Sequence, residues 1–385
     1  MKKTLRIVSG VCNSVNPAGC FSNVRNWIEA EKKLPTIDGG PRSVLILGCS
    51  GGYGLGARIA AAFGAGARTM GVSFDRAPTV RKKASPGWYN NQAFDMAVAE
   101  AGLFSETLLG DAFSNETREA VMERVKKSGM GAFDLVIYSL ASPMRTDPVS
   151  GETYRSTIKP TGEKLTGTTL DVATGKMTDV TFEPATEQEI ASTVKVMGGE
   201  DWKLWIEALK AADMLAHNAK TIALSYIGPD ATHAIYRSGT LGKAKEHLES
   251  TAAEINAIIA AECGSAYVSV NRALVTRASV VIPIMSAYLC ALNKVLKAKG
   301  LNENCHEQMS RLMRDRLYGS DAVVATDEEG RIRMDDWEMR EDVQKETSDI
   351  LHRLTPDNIE QLTDWAGCSD ELFGLFGFSP ADRGL

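Results

Sequence analysis

Ser43-Val44-Leu45-Ile46-Leu47-Gly48-Cys49-Ser50-Gly51-Gly52-Tyr53-Gly54-Leu55 carries the strongest architectural signal in the chain. An apolar run, Ser43–Leu47, ends in a glycine-rich turn, and helical spacing of apolar residues follows over Leu55–Phe63. A strand that is apolar without alternation is buried on both faces, as the central strand of a parallel sheet is. The turn has the spacing G-x-x-x-G-x-G. Glycine there allows a tight bend and lets the backbone approach a pyrophosphate seated on the helix N-terminus. The plain alternative is a strand–helix turn that only needs flexibility. The position between an apolar strand and an amphipathic helix favours the dinucleotide reading.

Outward from this unit the same rhythm repeats. Apolar runs at Thr69–Phe74, Ser105–Leu109, Phe133–Tyr138, Thr221–Tyr226 and Tyr267–Val270 read as strands. Helical patterns at Asn91–Ala101, Asn115–Lys127, Trp202–Ala216 and Leu241–Ala261 lie between them. Strand–helix alternation with right-handed crossovers predicts an α/β fold, a doubly wound parallel sheet of the Rossmann type. Pro143–Pro184, rich in Thr, Gly and Pro, interrupts the rhythm and reads as a hairpin insertion covering a site. After about Leu301 come helical patterns and one strand–turn–strand candidate, Val323–Met334, turning at Glu328-Glu329-Gly330. The expectation is one enlarged Rossmann-type domain over 1–385: an N-terminal segment (1–42), a dinucleotide-binding core (43–300) with its insertion at 143–185, and a helical C-terminal cap (301–385).

Composition narrows the function. The formal net charge of −6 argues against nucleic acid, which needs a basic surface. Seven scattered cysteines form no C-x-x-C pair, and five histidines show no H-E-x-x-H pattern, so no metal is expected; each histidine reads as a surface or capping residue. The start, Met1-Lys2-Lys3, precedes an apolar run broken by Ser9, Gly10 and Asn13 and is not read as a signal peptide. No stretch reaches the ~18 unbroken apolar residues of a membrane span. Ala278–Val295, with Pro283, Ser286 and Asn293, reads as a buried helix. A cytoplasmic chain without membrane insertion is expected.

The candidate site gathers at the carboxyl ends of these strands, where open α/β sheets bind ligands. Asp75 lies 27 residues beyond Gly48; an acid there accepts hydrogen bonds from the adenosine ribose and repels a 2′-phosphate, which favours NADH. Arg76, Arg81, Lys82 and Lys83 could instead take a phosphate or form a solvated run. Asp111 is either a site residue or a helix cap. Tyr236 and Lys245 form the pair with chemical meaning: an ammonium that holds the nicotinamide ribose and lowers the phenol's proton affinity, and a phenol that donates to an oxygen gaining charge. On one straight helix a separation of nine residues puts them on opposite faces. Ser238-Gly239-Thr240 offers the break, so the helix is predicted to begin near Thr240 with Tyr236 in the preceding loop. A half-buried aromatic beside a solvated lysine is the bland alternative, and Lys243 competes for the lysine's role. Asp335-Asp336 beside Trp337 reads as a solvated turn or helix start.

These residues resemble the FabV-type enoyl reductases and the bacterial trans-2-enoyl-CoA reductases, a family similar to short-chain dehydrogenases that carries Tyr-x8-Lys. The resemblance rests on Tyr236 and Lys245 and on Gly48–Gly54, Gly87–Asn90, Gly110–Ser114, Tyr138–Pro143, Met197–Trp202, Tyr226–Gly228, Leu274–Thr276 and Leu375–Phe378, which span nearly the whole chain. It implies NADH-dependent reduction of a trans-2-enoyl thioester carried on coenzyme A or acyl carrier protein, the latter being the enoyl-ACP reductase of fatty acid synthesis, by a monomer or homodimer. Tyr236 would be the proton donor, Lys245 a cofactor contact and Tyr226 a contact to the substrate thioester. Gly48, Cys49, Ser50, Gly51, Gly52, Tyr53, Phe74, Asp75, Asp111, Ala112, Ser139 and Leu140 would line the dinucleotide, with Leu274, Val275 and Thr276 near the nicotinamide. Asn16 stands where relatives have His, and Ser286 and Asn293 replace a Pro and an apolar residue beside the expected acyl chain. A short-chain-type carbonyl reductase and a non-catalytic dinucleotide sensor are the competing functions.

Overall fold

Seven strands form one wholly parallel sheet in a computed structural model of the chain, which describes residues 5, 7–8, 11–282, 284–319 and 323–383. Met1, Lys2, Lys3, Ser9, Gly10 and Pro283, used in the sequence reading above, lie outside the described residues. The strands are β1 (Ser43–Leu47), β2 (Arg68–Ser73), β3 (Ser105–Leu109), β4 (Phe133–Tyr138), β5 (Leu215–Ser225), β6 (Ser265–Val270) and β7 (Ile332–Arg333). Their order across the sheet is β3-β2-β1-β4-β5-β6-β7. The order reverses direction between β1 and β4, and the carboxyl ends of the strands at such a switch point form the ligand crevice.

Alternation along β1 explains why it is apolar throughout. Leu45 and Leu47 enter one core with Val121 and Val125 of α4 (Asn115–Ser128), Trp202 and Trp205 of α6 (Glu200–Ala211), and Leu248 and Ile255 of α8 (Thr240–Ile258). Val44 and Ile46 face the opposite core with Ala57 of α2 (Gly52–Ile59) and Met309 of α10 (Cys305–Arg311). With a side-chain period of 2, only a strand covered on both faces buries every position. A third core lies beyond the sheet edge, between α9 (Met285–Ala298) and α11 (Glu341–Arg353), and it contains Tyr226 and Tyr236.

The insertion forms two hairpins, Met144–Thr146 with Thr153–Arg155 and Leu165–Leu170 with Met177–Phe182. Between them the chain is pinned to the break that precedes α8: Thr240 N donates to Lys159 O (2.9 Å) and Thr161 N to Ser238 O (3.0 Å). The insertion therefore borders the Tyr236–Lys245 segment.

Three expectations need correction. Val323–Met334 is not a hairpin: only Ile332–Arg333 is a strand, and it pairs in parallel with β6, with Asp327–Arg331 closing a turn before it. Asp335-Asp336 leads into a turn, as expected, but Asp335 is not solvated. Asp335 is fully buried against Arg333 (2.6 Å), and Asp336 takes Arg311 (2.9 Å) and Arg316 (3.0 Å). His306 is neither surface nor cap: it is buried, bonded to Glu31 (2.8 Å) and stacked on Trp27. Among the described residues no helix is long and apolar enough to cross a membrane.

Candidate active site

Gly48 leaves β1 at φ +89°, and a Cβ there would lie 2.3 Å from Ser139 O at the end of β4. The bend thus needs glycine both for its left-handed backbone and for its closeness to the neighbouring strand. Leu140 closes on the same point, 3.2 Å from that position. No side chain caps α2, so its first-turn amides remain for an anion. Gly51 is extended (φ −167°) and has open space where a side chain would be. That is the surface a pyrophosphate needs. Gly51→Ala is therefore expected to leave the melting temperature unchanged while raising the NADH dissociation constant by about tenfold or more, read by fluorescence titration. Unchanged affinity would place the pyrophosphate elsewhere.

The remaining rim residues fall around this turn. Cys49 contributes backbone only, since its side chain is buried against Asn91 (3.6 Å). The Tyr53 hydroxyl donates to Arg272 O (2.6 Å), tying the turn to the segment after β6. In that segment Thr276 and Ser279 bond reciprocally, with Ser279 Oγ also donating to Leu274 O (2.6 Å), which shapes Leu274–Thr276 beside Gly52. Asp75 is half-buried and accepts from Ser85 Oγ (2.6 Å), while Phe74 stands in solvent at 83% exposure. Arg76, Arg81 and Lys82 are exposed. Asp111 is not the cap of α4; Ser114 is, and Asp111 accepts from Phe113 N (3.0 Å) at the rim beside Ala112.

The aromatic part of the site follows β5. Gly228 (φ +70°) makes room for it: a Cβ there would lie 2.4 Å from the Tyr226 hydroxyl. Tyr236 is not in a loop. It closes a short helix, α7 (Asp230–Tyr236), and the chain then breaks at Arg237–Gly239 and starts α8 at Thr240, as expected. Tyr226 and Tyr236 meet edge to face with centroids 4.5 Å apart, and Lys245 Nζ donates to Leu224 O (3.2 Å), two residues before Tyr226. Lys243 is exposed and paired with Glu246 (2.8 Å), which leaves Lys245 as the inward lysine.

Electrostatics separate the roles. Burial lowers the Lys245 ammonium from 10.5 to about 8. Burial, then the nearby Glu338 charge, pushes the Tyr236 phenol well up. The charge that reaches this phenol is thus Glu338, not the lysine expected to lower its proton affinity. Among the described residues the Tyr236 hydroxyl has no protein hydrogen-bond partner, so it is free for a ligand. The Tyr226 hydroxyl, in contrast, donates to Glu338 Oε1 (2.8 Å). Sequence reading missed Glu338, which is fully buried in the turn between β7 and α11 and 112 residues from Tyr226. No spacing rule connects the two.

A glycine turn on this strand order, with a buried tyrosine pair after β5 and an inward lysine bonded to β5, defines a Rossmann-type reductase. The chain belongs to the trans-2-enoyl-CoA reductase family. That family's catalytic region matches residues 82–318 and its NAD(P)H binding domain residues 3–80. The trans-2-enoyl-CoA reductase of Treponema denticola, solved with NAD, is 49% identical, covers 98% of this chain and 95% of its own, and superposes with a TM-score of 0.94. The Clostridium acetobutulicum trans-2-enoyl-CoA reductase with NADH gives 42% identity, the same coverage and a TM-score of 0.94. An NADH-dependent enoyl-[acyl-carrier-protein] reductase of Coxiella burnetii is 48% identical over 96% of this chain and 91% of its own.

A third family model, an enoyl reductase FAD binding domain, matches residues 326–382. The residues do not fit a flavin. Among the described residues this segment's one strand is the two-residue β7, its turn is filled by ion-paired acids and Trp337, and α11 buries Val343 and Ile350 against α9. A flavin therefore enters no step below.

Proposed function

We propose that the chain reduces the carbon–carbon double bond of a trans-2-enoyl thioester with NADH, Tyr236 donating the proton and Lys245 holding the nicotinamide ribose. The observation that carries this reading is the edge-to-face pair of Tyr226 and Tyr236 after β5, with the Tyr236 hydroxyl unclaimed by protein and Lys245 bonded to Leu224 O near the end of β5. NADH, when bound, supplies the hydride that adds to the β-carbon. The glycine turn and the amides of α2 would hold its pyrophosphate, Asp75 its adenosine ribose, and Leu274–Thr276 would lie beside the nicotinamide.

Addition at the β-carbon leaves negative charge on the thioester oxygen. A phenol with a raised proton affinity stays protonated at neutral pH, so Tyr236 acts as a donor to that oxygen and not as a base. The resulting enol returns its O–H proton to the Tyr236 phenolate as the α-carbon takes a proton from water, which leaves the saturated thioester and a neutral phenol. Tyr226 has one hydroxyl proton, and it points at Glu338. A bond from Tyr226 to the thioester oxygen requires that proton to turn from one acceptor to the other.

The substrate is an enoyl-CoA or an enoyl-acyl-carrier-protein, and the enzyme works in the cytoplasm as a monomer or homodimer. The test compares crotonyl-CoA with acetoacetyl-CoA at fixed NADH. Oxidation of NADH with the first alone is expected; turnover of the second in preference would make the chain a carbonyl reductase, and turnover of neither a dinucleotide sensor. Asp75 sets the nucleotide: Asp75→Ser is expected to lower kcat/KM for NADH and raise it for NADPH, each by about tenfold, because the acid that repels a 2′-phosphate is gone. An unchanged NADH/NADPH ratio would remove Asp75 from the ribose site.

A further inference from the structure

Glu338 collects hydrogen bonds from three separate parts of the site. Its Oε1 accepts from the hydroxyls of Tyr226 (2.8 Å) and Tyr288 (2.6 Å), and its Oε2 accepts from the backbone amide of Ala273 (2.6 Å). Tyr226 belongs to the segment after β5, Tyr288 to α9, and Ala273 to the segment after β6 that runs on into Leu274–Thr276. The carboxylate is fully buried. Such a group is costly unless its oxygens are satisfied, and here donors fill both.

The turn that carries Glu338 is itself fixed. Asp335 is paired with Arg333, Asp336 with Arg311 and Arg316, and the Arg311 guanidinium lies 4.3 Å from the Trp337 ring centroid. Gln344 of α11 donates to both the Glu338 carbonyl (2.7 Å) and the Tyr288 hydroxyl (3.0 Å). A buried acid this well braced is more than is needed to join a two-residue edge strand to the sheet.

We propose that Glu338 is a positioning residue of the reduction: it sets the Tyr226 hydroxyl, and through it the edge-to-face seat of Tyr236, at a fixed spacing from the backbone that leads to Leu274–Thr276. It acts through Tyr226 and touches neither substrate nor cofactor. This rests on the proposed function above. An inactive parent enzyme would fail that reading, whereas an active parent with insensitive variants fails this one.

The test is a double-mutant cycle on the full chain with crotonyl-CoA and NADH, combining Glu338→Gln with Tyr226→Phe. Glu338→Gln keeps the side-chain shape but replaces one acceptor by a donor, so it cannot satisfy all three partners. It is expected to lower kcat by about tenfold or more while NADH affinity stays within about twofold of the parent. The double variant should be no slower than the slower single variant, because Tyr226→Phe already removes the hydroxyl through which Glu338 acts. Losses that multiply, or a kcat within about twofold of the parent, overturn the proposal. Should Glu338→Gln fail to fold, the cycle is run with Tyr288→Phe, which deletes one hydroxyl from the same oxygen. A kcat lowered by about threefold and non-additive with Tyr226→Phe supports the role, and an unchanged or multiplicative one overturns it.

Discussion

Tyr236→Phe is expected to lower kcat by about 10²- to 10³-fold with little change in the KM for NADH or in melting temperature. The kinetic part follows from where the charge appears. A preorganised donor aimed at an oxygen that becomes anionic only in the transition state contributes about two to three orders of magnitude, and its removal leaves ground-state binding intact. The stability part follows from the hydroxyl's surroundings. Tyr236 is 7% exposed, and among the described residues its hydroxyl makes no protein hydrogen bond. Deleting it therefore leaves no buried partner unsatisfied, and the edge-to-face contact with Tyr226 at 4.5 Å survives in the phenylalanine. Steady-state kinetics with thermal unfolding decide the matter: a kcat within about threefold of the parent removes Tyr236 from the chemistry.

Much of the candidate site was legible because the half proposed to hold the cofactor is local. A buried strand, a glycine bend and a helix announce themselves within thirteen residues, Ser43 to Leu55, and the rim residues follow from the strand ends. The start of α8 at Thr240 was equally readable, since the separation of Tyr236 from Lys245 demanded a break and Gly239 supplied one. What precedes it was not: α7 has seven residues, about two turns, too few for a 3.6-residue period to show. The contacts that complete the site are non-local. Glu338 reaches Tyr226 across 112 positions. A buried acid has no periodic signature; its neighbours Asp335 and Asp336 read as solvated because their arginines, among them Arg311 and Arg316, pair with them through the fold. β7 was misread for a related reason, as two residues carry no alternation and its partner is parallel and distant.

Lys245→Met is expected to make the protein more stable at pH 7 and nearly inactive. The lysine is held by one carbonyl, Leu224 O at 3.2 Å, and the Glu249 charge favours its ammonium, but burial outweighs both and brings it from 10.5 down to about 8. Because the folded value lies below the unfolded one, the unfolded chain binds more protons between pH 8 and 10.5, and the stability of the parent rises with pH across that window. Below pH 8 the parent carries the cost of a charged, desolvated group, of about 2 kcal/mol once partial solvent access and the carbonyl bond are allowed for. Methionine fills the same volume without that cost. Its advantage should be largest near pH 7 and shrink as the pH rises past 8, measured by denaturant unfolding at several pH values. Function moves the other way: loss of the ammonium is expected to weaken NADH binding by about tenfold and kcat/KM by about 10²-fold or more. In the parent, NADH affinity should itself fall above pH 8 as the lysine loses its proton, and the variant should show no such fall. A lysine that holds the ribose, as proposed, keeps a destabilising charge, and removing it exchanges activity for stability. A methionine variant less stable than the parent at pH 7, or one that binds NADH as tightly, would mean that Lys245 serves the fold and not the cofactor.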